Sequence, residues 1–188
     1  MYWTCRNIHT IPREALEQVC AHLSPSRKEH IDRLRLEPDK HRSLAAQWLL
    51  QQLLEETCGI TDSVLHRDSS GQPYLTGCDL FVSLSHCDDM VACAVSKEPV
   101  GIDIERIRPV KEGLCRRVCT PEELAYLQAA PEELSSDPVS LRRFFEIWTG
   151  KEAYFKKCGT GITNLRSVNV LSLSRQVHTV EDYILQII

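Results

Sequence analysis

The sequence predicts an α+β fold of two similar halves, in which helices pack on small, mainly antiparallel sheets. Two helical segments, at about residues 39–57 and 138–158, each run into a Gly-Ile-Thr tripeptide, at 59–61 and 161–163. Two apolar segments flanking Cys87-Asp88-Asp89 are typical of an antiparallel hairpin. The shared tripeptide is short enough to occur by chance. With a junction near residues 96–99, we expect an N-terminal half of 1–97 and a C-terminal half of 98–188.

In the N-terminal half, Asp39-Lys40-His41-Arg42 opens the long helix. Residues 63–67 then have strand character, and Gly71-Gln72-Pro73-Tyr74 predicts a turn. The hairpin follows, with strands at 79–86 and 90–96, and its first strand ends in Ser85-His86.

The C-terminal half begins with an alternating segment, Val100 to Ile107, which predicts a strand. Asp103 and Glu105 lie on one face, and at about 3.3 Å per residue they are roughly 7 Å apart. Their hard oxygen ligands suit Mg²⁺ better than zinc, and Gly101 leaves room for a ligand beside the backbone. A solvated strand face with two acids is the alternative.

The long C-terminal helix has clear end signals: Asp137 as N-cap, Pro138 in the first turn and Gly159 at the end. Its predicted buried stripe consists of residues 141, 144, 145, 148 and 155. Upstream, Thr120-Pro121-Glu122-Glu123 predicts a shorter helix start. Downstream, 167–173 has strand character, and Tyr183 to Ile188 predicts a last strand.

Glu152 and Lys156 lie four residues apart on this long helix. One interpretation is a surface ion pair that stabilises the helix by a few tenths of a kcal/mol. The neighbouring Trp148 and Phe155 indicate instead that the pair borders the core, where it is a candidate for chemistry.

Taken together, these motifs resemble the 4′-phosphopantetheinyl transferases, and in particular the larger, monomeric type that activates surfactin synthetase. The specific part of the resemblance is Gly-Ile-Asp-Ile-Glu at 101–105 together with Trp-Thr-Gly-Lys-Glu-Ala-Tyr-Phe-Lys-Lys-Cys-Gly-Thr-Gly at 148–161. The strand ending in Ser85-His86, the turn at 71–74 and the helix opening at 39–42 support it. The resemblance covers the chain from about residue 24 to 170.

The resemblance implies a fold of two halves related by a pseudo-twofold axis. It implies that the chain transfers the 4′-phosphopantetheine arm of coenzyme A to a serine of an apo carrier protein, and that 3′,5′-ADP is released. Mg²⁺ would be the metal cofactor and coenzyme A the co-substrate. The carrier would be an acyl, polyketide or peptidyl carrier protein, and the enzyme would be a monomeric pseudo-dimer.

Site residues follow from the resemblance position by position. Asp103, Glu105 and Glu152 would hold the metal, and Asp103, Glu152 and Lys156 would be catalytic, with Glu152 a ligand, the base or both. Contacts to coenzyme A would come from Arg42, Gln72, Pro73, Ser85, His86 and Lys156. Gln72 stands where many relatives carry Lys, so one cationic contact to the phosphates would be lost. Arg42 as an exposed helix residue and His86 as a hydrogen-bonded core residue are the alternatives.

Composition is consistent with a cytoplasmic enzyme. The net charge of −4 argues against general nucleic-acid binding, and we expect no membrane span. Nine cysteines without a framework spacing suit a reducing compartment. A local basic cluster is the expected docking surface for an acidic carrier protein: Arg106, Arg108, Lys111, Arg116 and Arg117, with apolar contacts from Ile107, Val110, Leu114 and Val118.

Two other classes of protein remain. One is a carrier-protein-binding homologue that has kept the fold and lost catalysis. The chain retains the three acids and the lysine, which argues against this class. The other is a different Mg²⁺-dependent phosphoryl-transfer enzyme, such as a phosphodiesterase, in which water attacks. The sequence shows no His-Asp cluster or nucleophile motif with the acids, so it does not support a phosphodiesterase.

Overall fold

The computed structural model describes residues 1–111, 113–162 and 164–188. The first part of the chain forms β1 (Tyr2–Asn7), α1 (Arg13–Ala21), α2 (Pro25–Arg33), α3 (Glu37–Cys58), β2 (Val64–Arg67), β3 (Pro73–Thr76), β4 (Phe81–Cys87) and β5 (Met90–Ser96). The second part forms β6 (Ile102–Arg106), α4 (Leu114–Val118), α5 (Pro121–Leu127), α6 (Pro138–Cys158), β7 (Gln176–Val180) and β8 (Tyr183–Ile187). Short 3-10 turns occupy 8–10, 165–167 and 170–172.

All described strand pairs are antiparallel, which confirms helices combined with small antiparallel sheets. One three-stranded sheet has the order β1-β5-β4, and the other has the order β6-β8-β7. Strands β2 and β3 form a separate hairpin. Helix α3 packs on the first sheet and α6 on the second, so each long helix covers one sheet.

The first long helix begins two residues before the predicted start and ends as predicted. Pro38 lies in its first turn, and Gly59 closes it with φ of 66°, in the left-handed region that favours glycine. Its buried face against the first sheet includes Leu49, Leu50, Leu53 and Leu54. Burial of each leucine stabilises the fold by about 1.5–3 kcal/mol.

The second long helix begins and ends as the sequence predicts. The Asp137 side chain accepts a hydrogen bond from the backbone N–H of Ser140, and Gly159 has φ of 67°. Of the predicted stripe, residues 141, 144, 145 and 155 are buried and Trp148 is half-buried. Thr120 and Glu123 form a complete capping box at the start of α5.

The predicted hairpin is confirmed, and its turn consists of Asp88 and Asp89. The strand predicted for 167–173 is wrong, since 3-10 turns occupy 165–167 and 170–172. Thr163, the last residue of the second Gly-Ile-Thr, lies outside the described residues. The last strand is confirmed as β8, which is the central strand of its sheet.

The two sheets face each other through alternate residues of the hairpin. One face of β5 packs under α3, and the other packs against the second sheet. The second contact is apolar and consists of Met90, Ala92, Ala94, Ile102, Ile104 and Leu185. Because these residues are buried against one another, the contact holds β6 beside β4, where the predicted site residues lie.

Gly101, just before β6, has a different role from the one predicted. A Cβ atom at this position would lie 1.8 Å from the carbonyl oxygen of Ala153. The backbone of α6, not a ligand, therefore occupies the space that glycine leaves. This close approach brings the acids of β6 next to the last turns of α6.

Within residues 1–111, 113–162 and 164–188, no helix combines the length and the apolar character needed to cross a bilayer.

Candidate functional site

A cavity of about 490 Å³ lies where the two parts of the chain meet. Its volume is within the range of ordinary small-molecule sites. It is lined by all but one of the predicted site residues: Gln72, Pro73, Ser85, His86, Asp103, Glu105, Glu152 and Lys156. Residues far apart in the sequence thus converge on one space.

Asp103 is the most constrained acid of the cavity, since its side chain is buried. Its Oδ1 accepts hydrogen bonds from the Ser85 hydroxyl at 2.7 Å and from the Lys156 ammonium at 2.7 Å. Its Oδ2 is also buried and has no hydrogen-bond partner among the residues that the structure describes. A buried carboxylate oxygen without a partner is costly, so this atom is suited to a cation.

Lys156 reaches across to β6 instead of pairing along its own helix. Its ammonium also donates to the Ser85 hydroxyl at 2.9 Å and to the carbonyl of Ile102 at 3.2 Å. Among the described residues its ion pair is with Asp103, and the surface pair between Glu152 and Lys156 is wrong. The lysine is thus a resident counter-ion of the acid cluster.

Glu105 is half-buried at the cavity and has two neighbours that sequence reasoning missed. Its Oε2 accepts from the Cys87 thiol at 3.3 Å and from the Arg108 guanidinium at 3.4 Å. Burial raises the pKa of Glu105 above its usual value, and the nearby Asp103 charge raises it further. The acids therefore repel one another across the cavity.

Of the acids at the cavity, Glu152 has the most clearly shifted pKa. Burial, followed by repulsion from Asp103, raises the pKa of Glu152 to about 7. The Lys156 charge opposes that shift but does not cancel it. A carboxylate with a pKa near neutrality can accept a proton at physiological pH, which is the property of a general base.

Two serines of β4 connect this strand to β6 without backbone pairing. The Ser83 hydroxyl accepts the N–H of Ile102 at 3.0 Å, and the Ser85 hydroxyl accepts the N–H of Ile104 at 3.3 Å. Both serines are buried. Sequence reasoning selected Ser85 and missed Ser83, although serines two apart on an apolar strand are a visible signal.

His86 lines the cavity, and the charge of Arg42 is close enough to act on it. His86 is open to solvent on one side, yet the surrounding protein and the charges of Lys156 and Arg42 lower its pKa to about 4. Its imidazole is therefore neutral at physiological pH. Arg42 is the predicted residue that does not line the cavity; it pairs with Asp39 and donates to the Asp88 carbonyl at 3.4 Å.

Several arginines of the segment after β6, the expected docking surface, are paired with acids. Arg106 pairs with Asp182 at 2.6 Å, and Arg116 pairs with Glu132 at 2.7 Å. Val118, expected as a contact residue, is instead buried in the core. Acids on the same surface therefore offset part of the positive charge that the sequence shows there.

The acids at the cavity offer oxygen ligands only, which is the chemistry that Mg²⁺ prefers. Within residues 1–111, 113–162 and 164–188, no group of three or more His, Cys, Asp or Glu residues is arranged closely enough to hold a metal as it stands. The partnerless Oδ2 of Asp103 and the raised pKa of Glu105 and Glu152 nevertheless fit a divalent cation. Such a cation would give the Oδ2 of Asp103 a partner and would reduce the repulsion among the three carboxylates.

Carboxylates, a lysine and a cavity of this size are typical of sites that bind phosphate esters with a metal. The sequence model of the 4′-phosphopantetheinyl transferase superfamily matches residues 99–186 of this chain. These residues include β6 and α6, which carry the acids and Lys156.

Individual relatives extend the similarity to most of the chain. The 4′-phosphopantetheinyl transferase HetI of a Nostoc strain is 30% identical over 85% of this chain and 69% of its own length. The 4′-phosphopantetheinyl transferase gsp of Aneurinibacillus migulanus is 30% identical over 81% of this chain and 62% of its own length. A 4′-phosphopantetheinyl transferase of Bacillus subtilis is 27% identical over 78% of this chain and 65% of its own length.

The chain belongs to the 4′-phosphopantetheinyl transferase superfamily. It spans less than two thirds of the length of the relatives from Aneurinibacillus migulanus and Bacillus subtilis.

Proposed function

We propose that the chain transfers the 4′-phosphopantetheine arm of coenzyme A to a serine of an apo carrier protein and releases 3′,5′-ADP. The observation that carries this proposal is the convergence of Asp103, Glu105, Glu152 and Lys156 on one cavity. The names of the relatives, which are 4′-phosphopantetheinyl transferases, support it independently.

Mg²⁺ belongs to this proposal, with Asp103, Glu105 and Glu152 as the residues that would hold it. When bound, the ion would neutralise charge on the diphosphate of coenzyme A. The partnerless Oδ2 of Asp103 supports a cation beside that atom.

The residues of the chain supply the rest of the reaction. The carrier serine oxygen attacks the phosphorus that bears the pantetheine arm, and a new phosphodiester bond forms. The bond from this phosphorus to the oxygen of the adenosine-side phosphate breaks, and that oxygen leaves with the electron pair as part of 3′,5′-ADP. Glu152 accepts the serine proton. Lys156 balances the charge that develops on the leaving phosphate.

Binding of coenzyme A is assigned to the residues on the first part of the chain. Gln72, Pro73, Ser85 and His86 line the cavity. The neutral imidazole of His86 can donate a hydrogen bond to a phosphate oxygen while its other nitrogen accepts one. Arg42 adds positive charge next to His86, as the lowered pKa of His86 reflects.

Organisation and partner choice complete the proposal. Two halves, 1–97 and 98–188, form a monomer and are related by a pseudo-twofold axis, which the matching pattern of a long helix on a three-stranded sheet supports. The enzyme acts in the cytoplasm. The carrier protein docks at the segment after β6, where Lys111 and the exposed Arg117 carry positive charge.

The nucleotide products distinguish this function from the two alternatives. Incubation with coenzyme A, Mg²⁺ and an apo carrier protein should release 3′,5′-ADP only when the carrier is present. A phosphodiesterase would release nucleotide without the carrier, and a non-catalytic homologue would bind the carrier and release none. Either of those results would overturn the proposal.

A further inference from the structure

Cys87, the last residue of β4, contacts one acid of the cavity from the neighbouring strand. Its thiol donates a hydrogen bond to the Oε2 of Glu105 at 3.3 Å, and the Arg108 guanidinium donates to the same oxygen at 3.4 Å. The guanidinium also lies 3.5 Å from the Cys87 sulfur, so the three side chains form one cluster. Cys87 itself does not line the cavity, and its influence there passes through Glu105.

This contact repeats the arrangement that Ser85 makes two residues earlier on β4. Ser85 and Cys87 lie on the same face of their strand, because side chains two apart on a strand point the same way. Asp103 and Glu105 have the same spacing on β6. The Ser85 hydroxyl donates to Asp103 at 2.7 Å. The Cys87 thiol makes the corresponding contact with Glu105, so each acid of β6 is bound by one side chain of β4.

In both acids one carboxylate oxygen is bound and the other is left without a protein partner. For Asp103 the bound oxygen is Oδ1, and Oδ2 has no hydrogen-bond partner among the described residues. For Glu105 both contacts go to Oε2, and within residues 1–111, 113–162 and 164–188 no side chain or backbone N–H binds Oε1. Hydrogen bonds to one oxygen fix the direction of a carboxylate and leave its other oxygen for a metal.

The thiol also contacts the backbone of β6. Burial raises the pKa of the Cys87 thiol, and a hydrogen bond from the backbone N–H of Arg106 opposes this shift only in part. The sulfur therefore keeps its proton at neutral pH and can donate it to Glu105. Ser83 differs, because its hydroxyl accepts the N–H of Ile102 but contacts no acid in the described part of the chain.

We propose that Cys87 is a positioning residue for metal binding, whose thiol orients Glu105 so that the Oε1 of this acid is available to a divalent cation. A carboxylate that is already oriented loses less conformational freedom when the cation binds. Cys87 thus does for Glu105 what Ser85 does for Asp103. This inference rests on the proposed function, because it takes Glu105 as a ligand of the cation.

Mn²⁺ binding to the full chain in the presence of coenzyme A, measured by the electron paramagnetic resonance of free Mn²⁺, tests the inference without catalysis. Cys87→Ala should weaken binding about tenfold, the lower end of the usual effect of groups that orient metal ligands, because a thiol is a weak donor. Cys87→Ser should bind within about twofold of the wild type, since a hydroxyl also donates to a carboxylate. The matched control is Ser83→Ala, which removes a contact between β4 and β6 and no contact with an acid; it should bind Mn²⁺ as the wild type does.

Unchanged Mn²⁺ affinity in a folded Cys87→Ala variant would overturn the inference and leave the proposed function intact. A Cys87→Ser variant about tenfold weaker than the wild type would also overturn it, because the donor is retained there. So would an equal loss in Ser83→Ala, since the attachment of β6 to β4 would then explain the effect. In the transfer assay, the Mg²⁺ concentration for half-maximal rate should rise in Cys87→Ala by the same factor, with KM for the carrier unchanged. A wild type that binds no Mn²⁺ with coenzyme A would overturn both the inference and the metal part of the proposed function.

Discussion

Asp103 is held from two sides, and its two carboxylate oxygens have different surroundings. Ser85 and Lys156 bind Oδ1, whereas Oδ2 is buried and lacks a hydrogen-bond partner within the described part of the chain. This asymmetry fixes the carboxylate and leaves one oxygen for a ligand. The unpaired oxygen is the part of Asp103 that the proposed chemistry needs.

We predict that Asp103→Asn reduces the transfer rate by roughly 10²–10³-fold or more, because the cation that would neutralise the diphosphate loses a charged ligand. Its melting temperature should change little, because removing one of the mutually repelling acids offsets the loss of the ion pair with Lys156. The matched control is Asp182→Asn, which breaks an exposed pair with Arg106 away from the cavity lining. Near-normal turnover in Asp103→Asn would remove Asp103 from the site.

Ser83 and Ser85 offer a second comparison, since each accepts one backbone N–H from β6. Ser83→Ala and Ser85→Ala should lose similar free energies of unfolding, about 1 kcal/mol each. Only Ser85→Ala should also lower kcat, because Ser85 alone contacts Asp103 and Lys156. Urea unfolding and steady-state kinetics measure both quantities, and equal kcat values would contradict a positioning role for Ser85.

At the scale of elements, local signals predicted boundaries well and long-range contacts poorly. The caps at Asp137 and Thr120 and the glycines at 59 and 159 are local, and the helices end where they indicate. The contact of Lys156 with Asp103 joins residues far apart in the sequence, so spacing along one helix could not predict it. Gly101 was misinterpreted for the same reason, because its neighbour Ala153 lies on another element.

A fully buried ion pair connects α5, α6 and the 165–170 segment. The Lys151 ammonium lies 2.7 Å from Glu123 and also donates to the carbonyls of Leu165 and Val168. Glu123 in turn accepts the N–H of Val170 at 2.8 Å. This pair therefore fixes a segment that contains no strand.

We predict that Lys151→Met costs about 3–5 kcal/mol of unfolding free energy, because Glu123 is left as an uncompensated buried charge. The double variant Lys151→Met with Glu123→Gln should be more stable than the single variant, since the buried charge is gone. Urea unfolding of both proteins gives the comparison. A double variant less stable than the single one would contradict this explanation.

At the scale of the whole molecule, the repelling acids make stability depend on pH. The raised pKa of Glu152 means that the folded chain binds more protons than the unfolded chain between pH about 4.5 and about 7. The free energy of unfolding that Glu152 contributes therefore decreases as the pH rises from about 4.5 to about 7. Above about pH 7 this group causes no further change in the free energy of unfolding.

We predict that Glu152→Gln becomes steadily more stable relative to the wild type as the pH rises from about 4.5 to about 7 in EDTA. The reason is that the variant has no carboxylate to deprotonate in the folded state. Melting temperatures across this range measure the difference. A difference that is constant with pH would show that burial does not raise the pKa of Glu152.

The most direct measurement of the central claim is the intact mass of an apo carrier protein after incubation with the chain, coenzyme A and Mg²⁺. The account predicts a mass gain of one phosphopantetheinyl group, located on the carrier serine. It also predicts no gain with a Ser→Ala carrier and a strongly reduced gain with Glu152→Gln. An unmodified carrier in the presence of folded wild-type protein, or equal modification by Glu152→Gln, would contradict the account.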